Sequence, residues 1–147
     1  GIIAILAAFV FVMLNPVARF EDARNAKRWS AVNAIADAIR MNQFDNRGVY
    51  MDAVNDLEIG HYYEIGNGNV GFDCYNPSVS LESEAVSLEE LVTDGNLPSI
   101  PFDPLEGASV DHTHYYVKRD TNNVIIIGSC NEEKGSNAVI PAISASR

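Results

Sequence analysis

The sequence predicts an α+β protein: one long N-terminal α-helix packed on a small antiparallel β-sheet. Three observations predict it. Residues 2–14 are all apolar. From Val17 to about Phe44 apolar side chains recur at helical spacing. From Val49 onward the chain breaks into short β-branched and aromatic runs separated by Gly, Asn and Pro. With 147 residues there is enough chain for one domain and a modest core. Hydrophobic residues make up 47%, an ordinary average that hides the split between an apolar start and a polar, turn-rich remainder.

The first element is the apolar run. Thirteen residues at about 1.5 Å each cover roughly 20 Å, short of a hydrocarbon core of ~30 Å. A buried core helix, the apolar part of a signal peptide, and the tail of a longer segment all fit that length. A signal peptide would be followed by a small-residue cleavage site. Here Asn15-Pro16 follows, and the helical pattern resumes. Gly1 to Phe44 therefore reads as one long helix with a weak point at Pro16, which lacks an N–H for the carbonyl of Val12. A kink or unwound stretch is expected between Phe11 and Pro16. In the second part Trp29, Val32, Ile35, Ala36 and Ile39 form one stripe, expected to bury against the sheet at Val117, Ile125 or Ile127. Ala23, Ala26, Ala34, Ala38 and Met41 occupy another face, where small residues would let a second helix approach. Glu21 with Arg24 and Asp37 with Arg40 are spaced for local pairing, with further pairs expected between subunits.

In the head, His61–Ile65 reads as a short strand and Gly66–Asn69 as a turn. Cys74–Ser87 reads as loop. Ser87-Leu88-Glu89-Glu90 has the form of a capping box, opening a short helix that ends near Gly95. The prolines of Leu97–Pro104 exclude helix and central strand there. His114–Arg119 and Val124–Ser129 read as a hairpin joined at Asp120–Asn123, the second strand being central. Asn131–Arg147 fits either an edge segment or a loosely docked tail.

Charge is distributed unevenly. Residues 17–48 carry six basic and four acidic side chains, a net +2, whereas the whole chain carries −10 and the remainder therefore −12. A basic collar beside an apolar segment suits anionic headgroups as well as a plain solvated helix. An acidic head repels phosphates and excludes nucleic acid as its partner. The two cysteines, Cys74 and Cys130, in a chain with an export-type apolar segment point to one disulfide formed outside the cytosol, with a pair of free buried thiols as the alternative.

No catalytic, cofactor-binding or metal-binding motif is present, and the expectation is that the chain is not an enzyme and needs no cofactor. His112 and His114 would share one side of a strand, but zinc needs two more ligands. Asp103, Glu106 and Asp111 offer oxygens without the ligand set of a calcium loop. No nucleophile elbow occurs, and Gly66-Asn67-Gly68 has no lysine after it as a phosphate loop would.

The start, Gly1-Ile2-Ile3-Ala4-Ile5-Leu6-Ala7-Ala8, resembles the N-terminal signature of the type IV pilin family. So do Asn15-Pro16, the run Ala23–Arg28, and Leu97–Pro104 ahead of Tyr115 and Tyr116. The resemblance covers chiefly the first thirty residues; Val49–Asp94 resembles nothing recognisable. It implies a pilin-like fold in which residues 1–16 span the inner membrane before assembly and form the filament core afterwards. Residues 17–48 would pack on the head, and residues 49–147 would form it. The core would then hold Ile2, Ile3, Ile5, Leu6, Phe9, Val10, Phe11, Val12 and Leu14. The resemblance implies a homo-oligomeric helical filament at the cell surface, of the kind used in adhesion and twitching motility. The inner membrane and the pilus assembly machinery would be the partners before polymerisation, and about ten further residues are expected ahead of Gly1. A pseudopilin or minor pilin of a type II secretion-like system shares the signature. A membrane-anchored enzyme or binding module is the alternative of another class.

Overall fold

The structure is a computed structural model. It describes the backbone of residues 1–147 and the side chains of all but residues 11–14. Helix α1 (Ile2–Leu14) stops at Asn15, whose φ of 38° and ψ of 71° are left-handed. Pro16 then occupies the first turn of helix α2 (Pro16–Asp45), where its missing N–H costs nothing. The weak point expected around Pro16 is thus a break between two helices at the residue before it. Asn tolerates the left-handed region better than most side chains.

After α2 come the short helix α3 (Asp52–Asn55), strand β1 (Tyr62–Gly66), helix α4 (Glu89–Thr93), and strands β2 (His112–Arg119), β3 (Ile125–Ser129) and β4 (Ser144–Ser146). The four strands make one antiparallel sheet in the order β1-β2-β3-β4. Strand β3 is interior, as its β-branched run requires, and the C-terminal segment supplies the edge. The β2–β3 turn is closed by Asp120, whose Oδ1 accepts from the backbone N–H groups of Asn122 and Val124, both at 2.8 Å. Helix α4 starts one residue later than the capping-box spacing implies. Leu88 is its N-cap, and Ser87 Oγ reaches only the N–H of Glu89, at 3.5 Å. Leu88 is buried in the core, and that anchor sets where the helix begins.

The inner face of the sheet packs on α2. Val32, Ile35, Ala36 and Ile39 share one core with Val117, Ile125 and Ile127, and Val32, Ile35, Val117 and Ile127 are completely inaccessible. Trp29 is a correction: it is 40% exposed. On a helical wheel it stands about 90° from the centre of the buried face. At that level the centre belongs to Arg28, which is fully buried. Ala38 is a second correction, being buried rather than on the free small-residue face. The outer face of the sheet carries a smaller core of Cys74, Tyr116 and Cys130, with Tyr62, Phe72, Val79 and Leu81 against it. Cys74 and Cys130 form a disulfide that ties this covering loop to the end of β3, closing 56 positions of chain. The head is therefore three layers: helix, sheet and disulfide-bound loop.

Candidate functional site

Two surfaces of the long helix stand out: an apolar rod outside the head, and a polar clamp that fixes the head to the rod.

Every large apolar side chain described in α1 is exposed: Ile2, Ile3, Ile5, Leu6, Phe9 and Val10, by 54–84%. Phe11, Val12 and Leu14, expected in the same core, lie outside the residues whose side chains are described. Exposure continues past the break at Val17 and Phe20, and at the far end of α2 at Met41 and Phe44. Between them the outward face of α2 carries Ala23, Ala26 and Ala34. Among the described residues no helix is long and apolar enough to cross a membrane.

The clamp is built where α2 meets the C-terminal half of the head. Arg28 Nε and Nη2 donate to the two carboxylate oxygens of Asp103, at 2.7 and 3.1 Å. Arg28 Nη1 donates to Glu133 Oε2 at 2.7 Å and to Asn25 Oδ1 at 2.8 Å. Arg24 grips the same Glu133 through both carboxylate oxygens. Asn25 completes the join: its amide donates to the carbonyl of Glu133 at 2.6 Å, and its Oδ1 accepts the N–H of Glu133 at 3.1 Å. One turn earlier Glu21 and Asp22 accept the N–H groups of Gly135 and Ser136, at 2.8 and 2.9 Å. Gly135 has a φ of 58°, and a Cβ there would collide with the Asp22 carboxylate, so this loop approaches the helix only as glycine.

The electrostatics follow from the partners. Burial alone would push the Arg28 guanidinium down, but Asp103 and Glu133 outweigh it and hold it above its ordinary value. The bonds from Arg24 draw the Glu133 carboxyl below the usual range, against the opposing effect of burial and with help from Arg28. The backbone N–H of Ser136 does the same for Asp22. The charges expected to pair along the helix pair instead with the head. Arg24 takes Glu133 rather than Glu21, and Asp37 takes Arg147, at 3.0 Å, rather than Arg40. These partners are more than 100 residues away in the chain, where local spacing cannot reveal them. Arg40 and Lys27 remain on the exposed face.

Asp103 has both carboxylate oxygens engaged by Arg28. Among the described residues no group of three or more His, Cys, Asp or Glu side chains could hold a metal ion. The histidines do not converge. His61 bonds Glu82 at 2.7 Å, an interaction that raises its affinity for a proton. His112 faces Glu64 at 3.3 Å. His114, at a φ of 60°, packs edge-on against Phe72 and meets the Asn131 amide at 2.9 Å.

Comparison with protein-family models, with curated proteins and with solved structures finds no match to this chain. The long helix on a four-stranded antiparallel sheet with one disulfide is consistent with a pilin-like fold.

Proposed function

We propose that this chain is the structural subunit of an extracellular type IV pilus-like filament, polymerising through its N-terminal helix. The observation that carries the reading is the exposed apolar helix from Ile2 to Val10 beside a head whose own core is closed. An isolated helix that is apolar all round has to be buried in something. Before assembly the inner membrane offers that environment. After assembly copies of the same helix do. The small-residue face at Ala23, Ala26 and Ala34 lets neighbouring helices continue their contact above the break, while the clamp at Arg24, Arg28, Asp103 and Glu133 keeps each head in register with its rod.

The proposed place of the protein is the cell surface, with a stage in the inner membrane where the assembly machinery takes it up. Electron microscopy of native material purified through this chain tests the reading. Long fibres composed of this one subunit support it. Short or absent fibres would overturn it in favour of a pseudopilin role.

A further inference from the structure

The connection between β3 and β4 reaches further toward the break at Asn15 than the strands it joins. Strand β3 runs alongside α2 in the direction of α1. At its far end Ile125 exchanges backbone hydrogen bonds with Arg147, whose guanidinium holds Asp37 at 3.0 Å. Past its near end Glu133 meets Arg24, Asn25 and Arg28, and then Gly135 and Ser136 meet Glu21 and Asp22. The chain must then climb back, because the carbonyl of Ile143 accepts from Ser129, the N–H of Ile143 donates to Glu132 Oε1 at 3.0 Å, and Ser144–Ser146 pair with β3. The turn of the connection therefore sits at the level of Glu21 and Asp22, about 9 Å along the axis from Asn15. It is the foot of the head, next to the apolar rod.

What the foot presents differs from the rest of the head. Ser136 to Ile140 are all exposed, Val139 by 74%. Val17 and Phe20, at the start of α2, are exposed too and continue the apolar surface of α1. The charge also changes. The chain carries −10 and residues 17–48 carry +2, so residues 49–147 carry −12, with four cations among them. Three of those four are held: Lys118 by Tyr62, Arg119 by Asn123 and the carbonyl of Asn55, and Arg147 by Asp37. The fourth is Lys134, on the foot, exposed and with no side-chain partner among the described residues. Arg19 is the second exposed cation at this end, near Asp22 without bonding it. The carboxylates at this level, Glu21 and Asp22, are turned to the N–H groups of the loop.

We propose that this foot seats on a bilayer surface that carries anionic headgroups, with Val17, Phe20 and Val139 at the acyl boundary and Arg19 and Lys134 among the phosphates. The inference rests on the membrane stage of the reading above. Apolar side chains mixed with cations are what a surface lying in the interface needs. Long basic side chains keep their stems with the apolar groups and their charge in the headgroup layer. Continuity with the apolar rod selects the bilayer as the occupant, since a rod held in lipid brings the foot to the headgroups without further movement. The remaining charge sets the posture: an anionic surface repels the acidic remainder of the head and attracts only this end. The head then stands upright on the membrane, with the β2–β3 turn, which Tyr50 meets beyond the far end of α2, pointing away from it.

The test is power-saturation EPR on the full chain reconstituted at high lipid excess, with a nitroxide at Val139→Cys and, as control, at Asn122→Cys in the β2–β3 turn. The vesicles are phosphatidylcholine with or without phosphatidylglycerol. With phosphatidylglycerol the label at 139 should be shielded from an aqueous nickel chelate and open to oxygen, and the label at 122 the reverse. Arg19→Gln with Lys134→Gln should lower the ratio of seated to lifted heads about thirtyfold, from roughly fivefold for each cation near an anionic surface. The label at 139 should then meet the chelate as the label at 122 does, and omitting phosphatidylglycerol should act in the same direction. A label at 139 that is open to the chelate in both lipids, or shielded equally in both, would overturn the proposal. So would shielding that survives the double substitution, or that follows the protein-to-lipid ratio, which would mark a second copy as the occupant. Flotation of the same samples separates the foot from the anchor. A chain that floats with the vesicles while its label at 139 stays aqueous overturns the foot alone, and a chain that does not float overturns both.

Discussion

Arg28 is the residue on which the helix and the head agree. It is fully buried, at the level where Trp29 was expected to bury, because Asp103 and Glu133 supply the charge it needs. An apolar stripe can be read from sequence, but an arginine inside that stripe is invisible to periodicity when its partner lies 75 residues away. Removing one side of such a pair leaves a desolvated charge behind. Asp103→Ala should therefore cost on the order of 3–5 kcal/mol in urea unfolding of the head. Replacing Arg28 and Asp103 together by Met and Leu should cost far less, since the pair mainly specifies register. Equal losses in the two variants would contradict the clamp.

Glu132 gives a pH dependence of definite sign. Its folded value of about 7 lies above the ordinary 4.5, so the fold favours the protonated form. Its contribution is fully present below about pH 4.5 and is lost as pH rises through about 7. Glu132→Gln, which keeps the acceptor for the Ile143 N–H, should match the native chain near pH 4. Above pH 7 it should be the more stable of the two, by on the order of 3 kcal/mol. Paired denaturant midpoints across that range check it; parallel curves would contradict it.

At the scale of elements, much was legible where a run was long or its turn chemistry strong. Helix α2 runs Pro16–Asp45 against an expected Val17–Phe44, and the β2–β3 hairpin turns on Asp120 as its composition implies. The short elements were not legible. Helix α3 has four residues, too few for any period, and β4 is Ser-Ala-Ser, a strand only because β3 offers it an edge. The kink or unwound stretch expected between Phe11 and Pro16 falls at Asn15, where the chain breaks into two helices. Pro16→Ala restores the N–H that the Val12 carbonyl lacks, and should let α1 run straight into α2. Nitroxides at positions 6 and 20 would then report one narrow distance near ~21 Å, the axial rise of fourteen helical residues. The native chain should depart from that value. Identical distributions would mean that proline does not cause the break.

At the scale of the whole molecule, two solvents are written into one chain. The head closes its own cores, one against α2 and one under the disulfide-bound loop. The rod closes nothing, and its apolar surface lies outside the head. The break at Asn15 falls at the boundary between them, and the clamp begins less than two turns above it, at Glu21. A self-contained head carried on an unpartnered rod makes burial of that rod's apolar side chains the requirement that the proposed assembly has to meet.

That claim is tested most directly by sedimentation velocity in detergent-free buffer, comparing the full chain with one that begins at Val17. The account predicts that the shortened chain sediments as a folded monomer, because its cores and its clamp are intact. The full chain should sediment as large assemblies, because Ile2 to Val10 can leave water only among copies of themselves. A full chain that stays monomeric under those conditions would contradict the account.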